Sequence, residues 1–423
     1  MLKNKNAYKW IILLCTMVYF ASYFSRKSFA ASMVELFDKK VIEEKVAGIV
    51  ELVLFVFYGA GQLISGYLGD RIPPKYLIFS GLMASSLCNL LLPLVNNEYL
   101  FIPIWAINGF AQALLWPPIV KILSQHLSHD KYVTGNLIVT CGAHVATIIL
   151  YLWVPLCIKL TSWKGAFFSA TLLCVIIGVI FIVAMTRLLR SNEEDNQQTA
   201  VEITEEVLTT ETAKRPSFIK IFASSGVLLV FFAIIMMGFM RDGIESWFPT
   251  LYSQAFNRTP EEATAVSSLL PLFTIASIFA VRMLHKTKLF NNEVRGSAIT
   301  FLLAMVLCVP LAILIGIKGT VSSLICLILV CIICALMHAC NFLLISCLPG
   351  RFAKTGRTAT IGGCCNACVY IGAAAASYGI PALSSVLDWS GTAISWIGIC
   401  LIGLIFTILA FKKYSKFLTK KEN

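Results

Sequence analysis

Apolar stretches long enough to cross about 30 Å of hydrocarbon recur along the whole chain. That recurrence leaves few folds open. Inside hydrocarbon every backbone N–H and C=O needs an internal partner, so only helices and closed barrels span a bilayer. A barrel strand alternates apolar and polar residues over about ten positions, and these stretches do not alternate. The sequence therefore predicts an all-α membrane protein. Twelve spans are expected, near 10–37, 46–69, 76–95, 99–123, 134–158, 164–187, 222–254, 264–284, 296–317, 320–348, 357–385 and 391–411. With 58% hydrophobic and 13% charged residues, a soluble chain of 423 residues would lack the charge to cover its surface. No small-residue cleavage site follows the first apolar run, which is read as a retained helix rather than a signal peptide.

The net charge of +12 raises the question of a nucleic-acid partner. The placement of the charge answers it. With the N-terminus inside, 24 of the 34 Lys and Arg residues fall on inner loops and tails and 7 on outer loops. That bias sets topology and puts both termini in the cytoplasm; no nucleic-acid partner is expected. Three cations remain inside spans: Arg26, Lys27 and Arg241.

The 15 cysteines are scattered through apolar runs. Cys331 and Cys334 form a C-x-x-C, and Cys364, Cys365 and Cys368 cluster. A metal or redox site is one reading. Packing is the other, since buried Cys behaves as a small hydrophobe, and no His or second C-x-x-C stands at ligand spacing. Packing is preferred, and no metal or cofactor is expected.

Residues 191–213 are polar and acidic with no apolar face, which reads as a cytoplasmic linker. The expected organisation is a six-helix half over 1–190, a linker over 191–216 and a second six-helix half over 217–423. Weak internal repeats support the division. Tyr23-Phe-Ser-Arg26 matches Gly238-Phe-Met-Arg241, Thr134-Gly135 matches Thr355-Gly356, and Trp163-Lys-Gly165 matches Trp389-Ser-Gly391. Three matches in order, with slowly growing offsets, favour a duplicated unit. Two such halves, related by an axis along the membrane normal, place a site between them at the midplane.

The repeat puts Arg26 and Arg241 in the same place in each half, facing one another. An Arg at mid-span costs roughly 2.5–3.5 kcal/mol on insertion scales and is normally given a partner. Guanidinium stays protonated there, and two facing forks suit bidentate recognition of phosphate or carboxylate oxygens. Local pairing competes with ligand binding for Arg241, since Asp242 and Glu245 are close and Glu245 lies one turn on. No acid is near Arg26 in sequence before Glu35. Lys27 points about 100° away from Arg26 on the helix and is a lesser candidate for substrate contact. His144, inside the fifth expected span, is read as donating to an anion or titrating near neutral pH, with a packing role as the alternative. For His338 packing is preferred. His126, His129 and His285 fall at cytoplasmic ends. Gln62 and Asn366 are polar residues in apolar runs, open to lining a cavity or bridging helices.

At this point the residues resemble a known family. Gly66-Tyr-Leu-Gly-Asp70-Arg71-Ile-Pro-Pro-Lys75 resembles the loop signature between the second and third spans of the major facilitator superfamily. Tyr23-Phe-Ser-Arg-Lys-Ser-Phe-Ala30 is similar to the first-helix segment of its organophosphate:phosphate antiporters, the group of the bacterial glycerol-3-phosphate and hexose-phosphate transporters. Arg241-Asp-Gly-Ile-Glu-Ser-Trp-Phe-Pro-Thr-Leu-Tyr252 resembles their seventh-helix segment, Asn108 to Pro118 their fourth, and Ala143-His144 their fifth. The resemblance covers essentially the whole chain. It implies that Arg26 and Arg241 carry a substrate phosphate, that His144 contributes, and that Asp70, Arg71 and Lys75 latch the inner face. Two departures stand out: Gln62 replaces an expected Lys, and Asp242 directly follows the Arg.

The expected function is exchange of an organophosphate for inorganic phosphate by alternating access, in a bacterial-type inner membrane. Its partners are the phosphorylated anion, phosphate and lipid, and the working unit is a monomer. Two rivals stay open. One is proton-coupled symport of another organic anion, with Asp242, Glu245 or His144 as the proton site. The other is a transporter-like sensor of phosphorylated sugars. No Walker loop, nucleophile elbow or zinc motif appears, so an enzyme is not expected.

Overall fold

A computed structural model describes residues 7–197, 225–284, 287, 290–317, 319–355 and 358–422. These residues are almost entirely helical. Helices α1 (Ala7–Asp38), α2 (Glu44–Arg71) and α3 (Pro74–Leu91) lead into a bent rod made of α4 (Phe101–Ala113) and α5 (Trp116–His126). Then follow α6 (His129–Leu160), α7 (Lys164–Gln197) and α8 (Val227–Phe256). Short α9 (Pro260–Val266) continues into α10 (Leu269–Leu284), and α11 (Glu293–Ile315), α12 (Thr320–Asn341) and α13 (Thr358–Glu422) complete the chain. Most of the expected spans agree with these helices to within a few residues, but α7 runs well past the expected end at 187, to Gln197, and α13 well past 411, to Glu422.

Among the described residues ten helical stretches are long and apolar enough to cross a membrane. The last lies within α13, which is 65 residues long and is broken at Asp388, whose φ of 56° and ψ of 179° are not helical. It is thus two helices end to end. Other irregularities also have sequence causes. The α4–α5 bend falls at Leu114–Leu115, just before Pro117 and Pro118 remove two amide donors. After Asn341 the backbone widens to a π-helical turn over Phe342–Cys347. Pro349 follows, and its ring crowds the carbonyl four residues back, so an α-helical turn cannot hold there.

Packing repeats along the chain. In the first group of helices α1 lies on α6, α2 on α4 and α3 on α7. In the second, α8 lies on α13, α10 on α12 and α11 on the far part of α13. This is one pattern used twice. The seam between the groups joins α2 to α13, α6 to α9 and α10, and α1 to α8. At the end nearest the α1–α2 turn Gln254 bridges Glu44 and Trp389, Thr264 Oγ1 donates to the Ala31 carbonyl at 3.3 Å, and Phe37 stacks on Trp247. Further along the seam Asn366 donates to Gln62. The lobes are therefore shut on the side of the α1–α2 turn.

The predicted linker over 191–216 begins inside α7, which runs on to Gln197; the rest lies outside the described residues. The 15 cysteines are free thiols, eleven of them buried and packed in the apolar core.

Candidate functional site

The site forms where α1, α2, α6, α8, α12 and α13 meet. What aims the α1 cations is a polar ladder on the other side of that helix. Ser25 Oγ lies 3.0 Å from Ser85 Oγ, and Gln112 Nε2 donates to both at 2.9 and 2.8 Å. Ser85 donates to Asn108 Oδ1 at 2.6 Å, and Ser28 to Asn89 Oδ1 at 2.8 Å. With Ser25 and Ser28 held against α3 and α4, Arg26 is turned about 100° away, toward the seam. On the opposite lobe, α8 and α13 touch backbone to backbone. A Cβ on Gly238 would stand 2.3 Å from the Val369 carbonyl oxygen, so only glycine permits the approach. Gly238 lies one turn before Arg241, and Val369 precedes Tyr370.

Arg26 is 7% exposed and has no carboxylate partner among the described residues. Its Nε is buried without a hydrogen-bond acceptor. The guanidinium lies over the rings of Tyr23 at 4.3 Å and Tyr58 at 5.1 Å. Such contacts give roughly 0.5–2 kcal/mol each and leave the N–H groups free to donate. Tyr370 lies near enough to both Arg26 and Arg241 to interact with each.

Arg241 is differently placed. Its Nη2 and Nε form a bidentate pair with Asp242 at 2.6 and 3.2 Å, and Nη1 donates to Asn341 Oδ1 at 2.6 Å. The competing local partner is thus Asp242, the next residue, rather than Glu245. Glu245 turns instead to Lys27, whose Nζ lies 3.3 Å from Oε2 across the seam. Its other oxygen, Oε1, meets His338 Nε2 at 2.6 Å, and Tyr151 donates to the Glu245 backbone carbonyl at 3.1 Å. Breaking such a buried pair from one side costs about 3–5 kcal/mol.

His144 stands beside this group, its ring 5.4 Å from that of His338 and 6.5 Å from Tyr23. Gln62 accepts from Asn366, so the two polar residues join the lobes to one another. The structure thus gathers Arg26, Lys27, His144, Gln62, Arg241, Asp242 and Glu245 in one region. The inner-face residues lie elsewhere. Arg71 is exposed at the end of α2, and the Lys75 ammonium rests 5.2 Å from the Tyr76 ring. The Asp70 side chain lies outside the described residues.

Glu245, Cys334 and His338 hold a carboxylate oxygen, a thiol and an imidazole nitrogen within 4.8 Å of each other. The carboxylate, however, already carries the Lys27 ammonium on one oxygen and His338 on the other. The trio is a hydrogen-bonded group set against a cation.

Sequence reasoning missed Tyr23, Tyr58, Tyr370, Asn341 and Glu51. Glu51, on α2, is 1% exposed. An acid inside an apolar run was its signal, the same signal that drew attention to Gln62; its position seven residues from the start of α2 disguised it as a helix-end charge.

A twice-used helix packing pattern around a charged seam at mid-membrane is the plan of a secondary transporter. The sequence pattern of the Major Facilitator Superfamily matches residues 15–377, and the chain belongs to that family. A probable hexose phosphate transport protein of Chlamydia trachomatis is 26% identical over 61% of this chain and 59% of its own length. A glycerol-3-phosphate transporter of Bacillus subtilis is 26% identical over 58% of this chain and 57% of its own. The chain thus aligns with less than three-fifths of these relatives. Among solved structures, a bacterial homologue of the human lysosomal transporter Spinster superposes with a TM-score of 0.74, covering 98% of this chain and 99% of that one at 11% identity. That likeness concerns the fold.

Proposed function

We propose that the chain exchanges an organophosphate for inorganic phosphate, with Arg26 as the principal phosphate ligand. The observation that carries the reading is the unpaired guanidinium of Arg26, buried at the seam and held by tyrosine rings that leave its donors unused. A buried cation without an acid is a standing demand for an anion. Phosphate oxygens fit the planar fork bidentately. The kinship with transporters of hexose phosphate and glycerol-3-phosphate supports that cargo class.

In this reading α2, 28 residues long, is a further span. Counted with the break at Asp388 it makes twelve, six before the linker and six after, with both termini in the cytoplasm of a bacterial-type inner membrane. The lobes rock about the arginines. An empty site leaves Arg26 uncompensated. A bound dianion reaches from Arg26 past Tyr370 toward Arg241 and His144, and ties the lobes together. A ligand shifts the equilibrium only by binding one form better than the other. Return without cargo is therefore disfavoured, which gives exchange instead of leak.

Proteoliposomes loaded with phosphate provide the test. Uptake of labelled phosphate, and its competition by a panel of phosphate esters and carboxylates, should require phosphate or an ester on the inner side. Uptake driven by a proton gradient into vesicles free of phosphate would point to symport. Saturable ester binding with no flux would point to a sensor.

A further inference from the structure

We propose that Glu51 is a proton-binding site, and that its proton is exchanged for the Lys27 ammonium as the lobes rock, so that cargo exchange is linked to proton movement. This deepens the exchange reading and rests on it for the cargo.

Glu51 is buried on α2 at the level of the site, and its Oε1 has no hydrogen-bond partner. The donors facing its carboxyl are Ser246 Oγ of α8 and Trp105 Nε1 of α4, both buried and themselves unsatisfied. The cations acting on it are Lys27 and then Arg26, both of α1. Tyr151 of α6 faces Glu51 and Glu245 together. From residue 358 to 387 the helix packed along α2 carries no Asp, Glu, His, Lys or Arg; its tyrosines are Tyr370, edge-on to Tyr58, and Tyr378.

Neither cation is paired with Glu51 in this conformation. Lys27 is engaged by Glu245 at 3.3 Å, and Arg26 lies over tyrosine rings. A bare carboxylate in such a place is strongly disfavoured, whereas the neutral acid needs only ordinary hydrogen bonds. Glu51 therefore carries its proton here.

The division of residues between lobes supplies the switch. Lys27 and Glu51 belong to the first lobe; Glu245 and Ser246 belong to the second. When the outer side opens, the second lobe withdraws Glu245 and Ser246, and water enters. Lys27 loses its partner and keeps Glu51 beside it. The O–H bond of Glu51 breaks, its proton passes to water, and the carboxylate pairs with the Lys27 ammonium. Glu245 retains His338. On closing, Glu51 takes a proton from water and Lys27 returns to Glu245. Each closure binds one proton at Glu51, so acid favours the outward-closed form and alkali the outward-open one.

The test uses the full chain in lipid. Infrared difference spectra between acid and alkaline buffer should show the C=O stretch of one buried protonated carboxyl. Glu51→Gln should remove that band, and Ser246→Ala should shift it, because the hydroxyl facing the carboxyl is lost. In proteoliposomes, phosphate self-exchange of the native chain should vary with pH by up to about tenfold per unit, the limit for one linked proton, and Glu51→Gln should flatten that component. The same band in Glu51→Gln, or no change of band in Ser246→Ala, overturns the proposal. So does an unaltered pH profile in Glu51→Gln. A native chain with the band but no phosphate exchange at any pH would leave the proton site standing and remove the cargo reading.

Discussion

Arg26 and Arg241 close the same four-residue repeat, yet the molecule gives them opposite company. Arg26 meets only aromatic faces and keeps its N–H groups free. Arg241 holds an acid bidentately and an amide on its remaining arm. The duplication copied the cation, and the neighbours then diverged: Gly238 and Met240 stand where the first repeat has Tyr23 and Ser25, and Asp242 stands where it has Lys27. Two arginines in symmetric places therefore need not share one task. One is ready to take an anion, and the other already has one that is covalently part of the chain.

The sharpest way to break the comparison is Arg26→Lys. The ammonium keeps the charge but lacks the planar fork, and it no longer spreads over both tyrosine rings. Losing one charge-assisted hydrogen bond of about 1.5–3 kcal/mol reduces affinity by about tenfold to a hundredfold. Phosphate exchange by the purified protein in vesicles should drop by at least that much. The equivalent Arg241→Lys should fall by a smaller factor, since its guanidinium already spends three hydrogen bonds within its own lobe. Equal losses from the two variants would erase the distinction drawn here.

Asp242→Asn approaches the same comparison from the other side. It removes the built-in anion without changing size, and so makes Arg241 resemble Arg26. Phosphate should bind about tenfold more tightly in equilibrium dialysis, the gain expected when one charge-assisted bond changes partner. Turnover should slow, because two uncompensated cations then repel each other whenever the site is empty. Weaker binding would instead mean that Asp242 orients Arg241 toward the ligand.

How much of this was legible in the sequence follows from the range of the forces involved. The helices were, because twenty apolar residues in hydrocarbon have only one way to satisfy their backbone. The break at Asp388 falls in the gap expected between 385 and 391, whereas the bend before Pro117–Pro118 lies inside a stretch read as one span, 99–123. Arg26, Arg241 and His144 announced themselves as polar groups with no business in an apolar run. Partner choice was not legible. Glu245 lies one turn from Arg241 and still pairs with Lys27, 218 residues away, because the fold sets the two lobes against each other at that level. Glu51 was passed over near a helix start, and the tyrosines around Arg26 looked like ordinary membrane aromatics. What decides between Asp242 and Glu245 is a distance across the seam, and no spacing within one helix contains it.

The finest division between the two arginines is the amide on α12. Asn341 sits at the junction where the helix widens before Pro349, and its Oδ1 accepts from Arg241 Nη1 at 2.6 Å. Asn341→Ala deletes one acceptor and leaves the Asp242 pair intact. The freed Nη1 then has a choice between water and a bound phosphate. Losing a hydrogen bond to a charged group weakens the hold on Arg241 by about 1.5–3 kcal/mol in isolation, but water and the ligand recover most of it, so only a few-fold change is expected. The direction is informative. If Asn341 serves to hold Arg241 back, the KM for phosphate exchange falls slightly in the variant while kcat is kept. If instead it presents Arg241 to the cargo, KM rises, and the second arginine is a fuller partner to the first than its acid-bound state suggests.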